Sequence, residues 1–112
     1  MECPAVVVVD GDSLRCGAER LRLLGIDAPE LGACPRDRQC VEGNGQAAKQ
    51  SLAAGIRLGP FRYERVGVDR YGRTLVAAWA GSTNLACWQM RRSYAEYVAK
   101  WDNGGRVAKA CR

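Results

Sequence analysis

The residues of this chain that could do chemistry fall into three short stretches. Asp10-Gly11-Asp12 comes first, Arg22-Leu23-Leu24-Gly25-Ile26-Asp27-Ala28-Pro29-Glu30 second, and Asp69-Arg70-Tyr71-Gly72-Arg73 third. Asp12 and Asp27, joined by a backbone carbonyl and waters, make an all-oxygen donor set that suits a hard cation such as Ca²⁺. Glu30 follows Pro29, whose ring restricts where the carboxylate can swing, and it could accept or orient the proton of a nearby water. Arg22 and Arg73 carry planar forks that match two phosphate oxygens at once. Charge placed where negative charge develops lowers a barrier and does more than improve binding. Tyr71 could stack on a base or bond a terminal phosphate. The chemistry these side chains share is metal-assisted hydrolysis of a phosphodiester.

Each stretch also has a plainer reading. Asp-Gly is an ordinary turn dipeptide. Glu30 alone reads as a solvated loop carboxylate, and Tyr71 as a half-buried turn tyrosine. Arg22 and Arg73 read equally as partners of neighbouring carboxylates. Composition narrows the field. The chain has no His, which removes imidazole bases, His-ligated zinc and His nucleophiles. Net charge is +5, and 14 of the 17 basic residues are Arg, a balance compatible with a polyanionic partner.

The elements that must position these groups follow from periodicity and punctuation. Residues 5 to 9 form a β-branched run that reads as a strand buried on both faces. Gly11 bends the chain, and residues 13 to 16 resume as strand. Residues 19 to 26 alternate, with Leu21 and Leu23 on one face and Arg20 and Arg22 on the other. A three-stranded antiparallel meander results. Asp12 and Asp27 converge if its first and third strands are neighbours. Residues 31 to 45 read as loop, 46 to 54 as helix, 61 to 68 and 74 to 80 as strands around a turn. Asn84 caps a second helix reaching about Arg92. Residues 93 to 98 could be extended, and Asp102-Asn103-Gly104-Gly105 breaks the chain. Arg106 to Arg112 is too short for an unaided helix and could be tied down by Cys111. Trp79, Trp88 and Trp101 read as core or barrel-mouth residues. The fold class expected is α+β, a small five-stranded barrel with two or three packed helices, in one domain spanning 1–112.

Six Cys in a chain this short, without a CxxC pair, favour disulfides over a zinc cage. Buried free thiols are the alternative. Of the 15 connectivities only Cys34–Cys40 is local enough to name. The count predicts an oxidising setting, periplasmic or secreted, although no leader stands in the chain as given. No apolar run has the length of a membrane span.

Taken together, Asp-Gly-Asp-Ser, Arg-Leu-Leu-Gly-Ile-Asp-Ala-Pro-Glu and Asp-Arg-Tyr-Gly-Arg resemble the staphylococcal nuclease (thermonuclease) family in order and spacing, over about residues 5 to 101. The resemblance implies an OB-fold barrel and a Ca²⁺-dependent phosphodiesterase acting on DNA and/or RNA, with a monomer expected. It places Asp12 and Asp27 on the metal, with the backbone carbonyl of Ala28. It gives Glu30 the attacking water, Arg22 and Arg73 the phosphate, and Arg70 and Tyr71 the substrate. This chain departs from the best-known member in four places: Ala28 stands for Thr, a longer loop holds Cys34 and Cys40, Ala99 or Trp101 replaces a second stacking Tyr, and the C-terminal helix is shortened, which a disulfide through Cys111 could offset. The competing expectations are a non-catalytic OB-fold nucleic-acid-binding module and a disulfide-stapled interaction protein.

Overall fold

The computed structural model describes residues 1–111. Strands β1 (Val6–Asp10), β2 (Ser13–Cys16) and β3 (Glu19–Leu23) form the antiparallel meander. Strands β5 (Phe61–Val68) and β6 (Thr74–Ala80) form a hairpin at the residues where alternation and the Asp69–Gly72 turn put them. The hairpin joins the meander through a parallel β3–β6 pair, which gives the order β1-β2-β3-β6-β5. The sheet then curls on itself. Glu2, ahead of β1, bridges Arg62 on β5, at the opposite edge of the sheet. The short strands β4 (Ile26–Asp27) and β8 (Glu96–Tyr97) pair with each other, and β7 (Thr83–Asn84) pairs with β6.

Helix α1 (Gly45–Gly55) starts at Asn44, whose Oδ1 accepts the Ala47 N–H, and buries Ala48 and Leu52. Helix α2 (Leu85–Arg91) starts in the same way at Asn84. Helix α3 (Arg106–Ala110) is little more than one turn long, and capping, burial and a disulfide hold it. Asp102 accepts the N–H groups of Val107 and Ala108, and Val107 is buried. Arg112 lies outside the described residues. The core is Leu14, Leu21, Leu23 and Ile26 from the strands, with Leu52 and Leu85 from the helices.

Three expectations need correction. Strand β1 is not buried on both faces: Val7 is 57% exposed and Val9 37%. Within the sheet β1 pairs only with β2, and one of its faces packs on α1 while the other meets solvent. β1 and β3 are not neighbours either, since β2 runs between them. Arg22 is buried, at 7% exposure, although alternation gave it the polar face.

The cysteines are paired as Cys3–Cys16, Cys34–Cys40 and Cys87–Cys111, and none is free among the described residues. Three disulfides suit an oxidising compartment. Among the described residues no helix is long and apolar enough to cross a membrane. The Cys87–Cys111 bond spans 24 residues and ties α3 to α2. Loop-closure entropy makes such a bond worth about 3–4 kcal/mol. The Cys87→Ser/Cys111→Ser protein should therefore melt well below the parent, with proteolysis starting after Asp102. A melting temperature equal to the parent's would show that capping by Asp102 suffices alone.

Glu19 links the meander to the hairpin. Its carboxylate accepts from Arg65, from the Tyr63 hydroxyl and from Thr74 Oγ1. Chiefly through the Arg65 hydrogen bonds, its pKa falls from 4.5 to about 2. The folded value lies below the unfolded one. Its stabilisation is therefore complete above about pH 4.5 and is lost as pH falls toward 2. In urea titrations at stepped pH, Glu19→Gln should lose less stability than the parent across that window; parallel losses would remove Glu19 from the acid response.

Candidate active site

The site begins where β3 ends. After Leu23 the chain turns at Leu24-Gly25, with Leu24 N–H bonded to the Val76 carbonyl and Gly25 at φ +75°, a value side-chain-bearing residues rarely adopt. The turn folds Ile26-Asp27 back toward Arg22. Strand β8 then fixes this exit, with Asp27 opposite Glu96 and the Val98 N–H bonded to the Gly25 carbonyl.

Asp12 arrives from the β1–β2 turn. Its carbonyl accepts the Leu23 N–H, and the next residue, Ser13, pairs with Arg22. The turn is clamped from behind by the buried Gln89, whose Nε2 donates to the Gly11 and Ala48 carbonyls. The two carboxylates thus converge through a turn and a reversed strand exit, without β1 touching β3. Arg22 stands between them, with Nη1 2.8 Å from Asp12 Oδ2 and Nη2 3.5 Å from Asp27 Oδ1 and 3.1 Å from the Ile26 carbonyl. The Ala28 N–H donates to Asp12 Oδ2 at 2.9 Å.

Burial works against charge on Asp12, but Arg22, Asp10 and the Ala28 N–H outweigh it and hold the pKa below its ordinary value. Burial acts against Arg22 as well, and Asp12, Asp27 and Asp10 together keep it charged. Asp10 takes the opposite shift: burial first, then the Asp12 charge, push it up to about 6. The pocket therefore carries more negative charge than its single buried guanidinium balances.

Glu30 is half-buried beside this pair. Its backbone lies against the start of α1, where Gly45 is in contact: a Cβ at position 45 would run into the Glu30 carbonyl. Arg38 completes the group. Its Nη2 donates to both Asp27 oxygens, at 3.1 and 3.0 Å, and its Nη1 sits 3.2 Å from Glu30 Oε1.

Across a cleft of about 690 Å³ stand Arg70, Tyr71 and Arg73, with Arg22 and Arg38 on the near wall and Lys100 and Trp101 at the side. Asp69 organises the turn. It accepts the N–H groups of Tyr71 and Arg73, each at 2.9 Å, and Arg73 Nε at 2.7 Å. Burial opposes its charge, and these hydrogen bonds overcome it and lower its pKa. Arg73 is thereby aimed by its Nε, which leaves its two terminal nitrogens for other oxygens. Tyr71 is 53% exposed, with Arg70 4.8 Å and Arg73 5.5 Å from its ring centre.

Asp12, Arg22, Asp27, Ala28 and Glu30 are therefore brought together, and of these Arg22 lines the cleft that Arg70, Tyr71 and Arg73 share. Both clamp candidates are paired with carboxylates, as the plainer reading allowed, yet both also line the cleft. Of the two positions that could stand for the second stacking Tyr, Trp101 lines the cleft and Ala99 does not, and the Arg22 guanidinium lies 5.3 Å from the Trp101 ring. Arg38 escaped sequence reasoning. Its one signal was position, in a loop bracketed by the two cysteines predicted to pair.

Among the described residues no three acidic or thiolate side chains surround one point. The donor set open to a cation would thus be small, the two buried carboxylates of Asp12 and Asp27 with backbone oxygen beside them. Its chemistry fits a hard dication. Every donor is oxygen, the chain has no His, and its six Cys are consumed by disulfides. The excess negative charge around Asp10 and Asp12 favours one as well.

A family model described as "Staphylococcal nuclease homologue" matches residues 20–110. The chain is also 32% identical over 88 residues to a Haemophilus influenzae protein named "Uncharacterized endonuclease", covering 74% of this chain and 44% of that protein. The chain thus spans less than half the length of that curated relative.

Proposed function

The chain belongs to the staphylococcal nuclease family, and from that premise we propose that it is a Ca²⁺-dependent nuclease hydrolysing phosphodiester bonds of DNA and/or RNA. The observation that carries this reading is Arg22. It binds Asp12 and Asp27 on one side and shares a cleft with Arg73, Arg70 and Tyr71 on the other. One guanidinium thus joins the carboxylate cluster to the basic wall.

Asp12, Asp27 and the Ala28 carbonyl would hold the cation. When bound, it supplies positive charge for the phosphate oxygens. The protein's own groups do the rest. Arg22 and Arg73 take non-bridging oxygens and oppose the charge that grows there as water attacks phosphorus. Glu30 accepts one proton of that water as the new P–O bond forms and an ester P–O bond breaks, the leaving oxygen taking a proton from solvent. Tyr71, flanked by Arg70, supports the nucleotide, and Trp101 offers a second face. Three disulfides support an oxidising setting for this activity, periplasmic or secreted.

Purified protein incubated with plasmid DNA or RNA should cleave in the presence of Ca²⁺ and stop when a chelator is added. Binding without cleavage, insensitive to Ca²⁺, would replace this reading with a non-catalytic nucleic-acid-binding module.

A further inference from the structure

Arg38 lies at the centre of the site, yet no motif of the chain puts it there. Its guanidinium takes both oxygens of Asp27 and one of Glu30, at 3.0 to 3.2 Å. Resting on the cation-site reading above, we propose that Arg38 is a resident counter-ion: it holds the cation position on Asp27 and surrenders it to a hard dication such as Ca²⁺.

Three observations carry this. The first is occupancy. A dication on Asp27 and a guanidinium spread over both of its oxygens compete for the same lone pairs, and they repel each other at that separation. The second is charge balance. Asp12, Asp27 and Glu30 contact two guanidinium groups, Arg22 and Arg38, which leaves at least one negative charge over. Exchange of Arg38 for a dication reduces that excess, and exchange of Arg22 does not recommend itself, because Arg22 is buried while the Arg38 side chain is 30% exposed and lines the cleft. The third is the tether. Arg38 sits in a stretch with no helix or strand, inside the ring closed by Cys34–Cys40. It can swing away without disturbing the core. The crosslink keeps it close, so its effective concentration at Asp27 stays high. Cation loading then becomes an exchange in which the displaced guanidinium remains in the cleft beside Arg22 and Arg73.

The test is Ca²⁺ titration by calorimetry, at fixed pH and ionic strength, of the parent, Arg38→Ala, Cys34→Ser/Cys40→Ser and Asp27→Asn proteins. Thermal melts with and without Ca²⁺ accompany it. Arg38→Ala should bind Ca²⁺ on the order of tenfold tighter than the parent, the effect of removing one cation in contact with the site. The cysteine variant, which keeps the guanidinium on a looser loop, should gain less. Without Ca²⁺, Arg38→Ala should melt lower than the parent, and Ca²⁺ should raise its melting temperature by more. Arg38→Gln, which keeps most of the stem, reads the same exchange if the alanine protein folds poorly. Equal or weaker Ca²⁺ binding in the Arg38 variants, with binding lost in Asp27→Asn, overturns the exchange and leaves the cation site standing. Absence of Ca²⁺ binding in parent and Arg38 variants alike overturns both.

Discussion

Replacing Arg22 by alanine is expected to cost more stability than any other single change in the site. Its side chain and that of Asp12 are 8% and 7% exposed and lie 2.8 Å apart. Removing one partner of a buried ion pair leaves an uncompensated charge, at about 3–5 kcal/mol. For a domain of this size that lowers the melting temperature by on the order of 15 °C. Lost activity in this protein alone would say little, because so much of the loss is structural. Arg22→Lys separates the two roles. Lysine keeps a cation beside Asp12 and lacks the planar fork, so stability should recover in large part, while cleavage should not. The measurement is a pair of melting curves and a digestion assay at a temperature where both proteins are folded. Recovery of cleavage together with stability would reduce Arg22 to a structural partner.

Glu30→Gln should show the reverse pattern. The Glu30 side chain is 29% exposed, and its ion pair is with the equally accessible Arg38. Such pairs contribute about 0–1 kcal/mol, so the melting temperature should barely move. Loss of a positioned proton acceptor costs about 10²–10⁴-fold in rate. Single-turnover cleavage of a labelled oligonucleotide with saturating Ca²⁺ would read this directly. A rate within a few-fold of the parent would remove Glu30 from the chemistry. The contrast with Arg22 matters: one residue is built into the scaffold and the other is only presented by it.

The legibility of this chain varied with how local the cause was. Strands β5 and β6 could be read to the residue, because alternation inside them and Asp69–Gly72 between them act over a few positions. The Asn84 cap of α2 was equally local, whereas Asn44, which caps α1, lay in the stretch read as loop. Arg22 was recognised by its type and its spacing to Asp27, but its burial was not. Alternation gives it the face opposite Leu21 and Leu23, and only the β1–β2 turn and the reversed exit of β3 cover that face. The convergence of Asp12 and Asp27 was expected for the wrong reason, adjacent strands, when a turn achieves it. Arg38 had no periodicity, no cap and no motif to announce it, since a loop side chain is placed by tertiary contacts alone. The partner of Cys87 was equally hidden: 24 residues separate it from Cys111, and only the folded chain closes that distance.

The contact between Gly45 and the Glu30 backbone has a consequence for anyone engineering this scaffold. Exchanging helical glycine for alanine is among the commonest stabilising changes, worth roughly 1 kcal/mol in a helix interior. Position 45 is closed to it. The methyl group would fall on the Glu30 carbonyl, and the helix or the carboxylate would have to shift. A library scored on heat resistance alone could accept a compensating slide of α1 and return a tougher, slower catalyst. Robustness is better sought on the outward side of that helix, at Gln46 or Gln50, where the side chains already meet solvent.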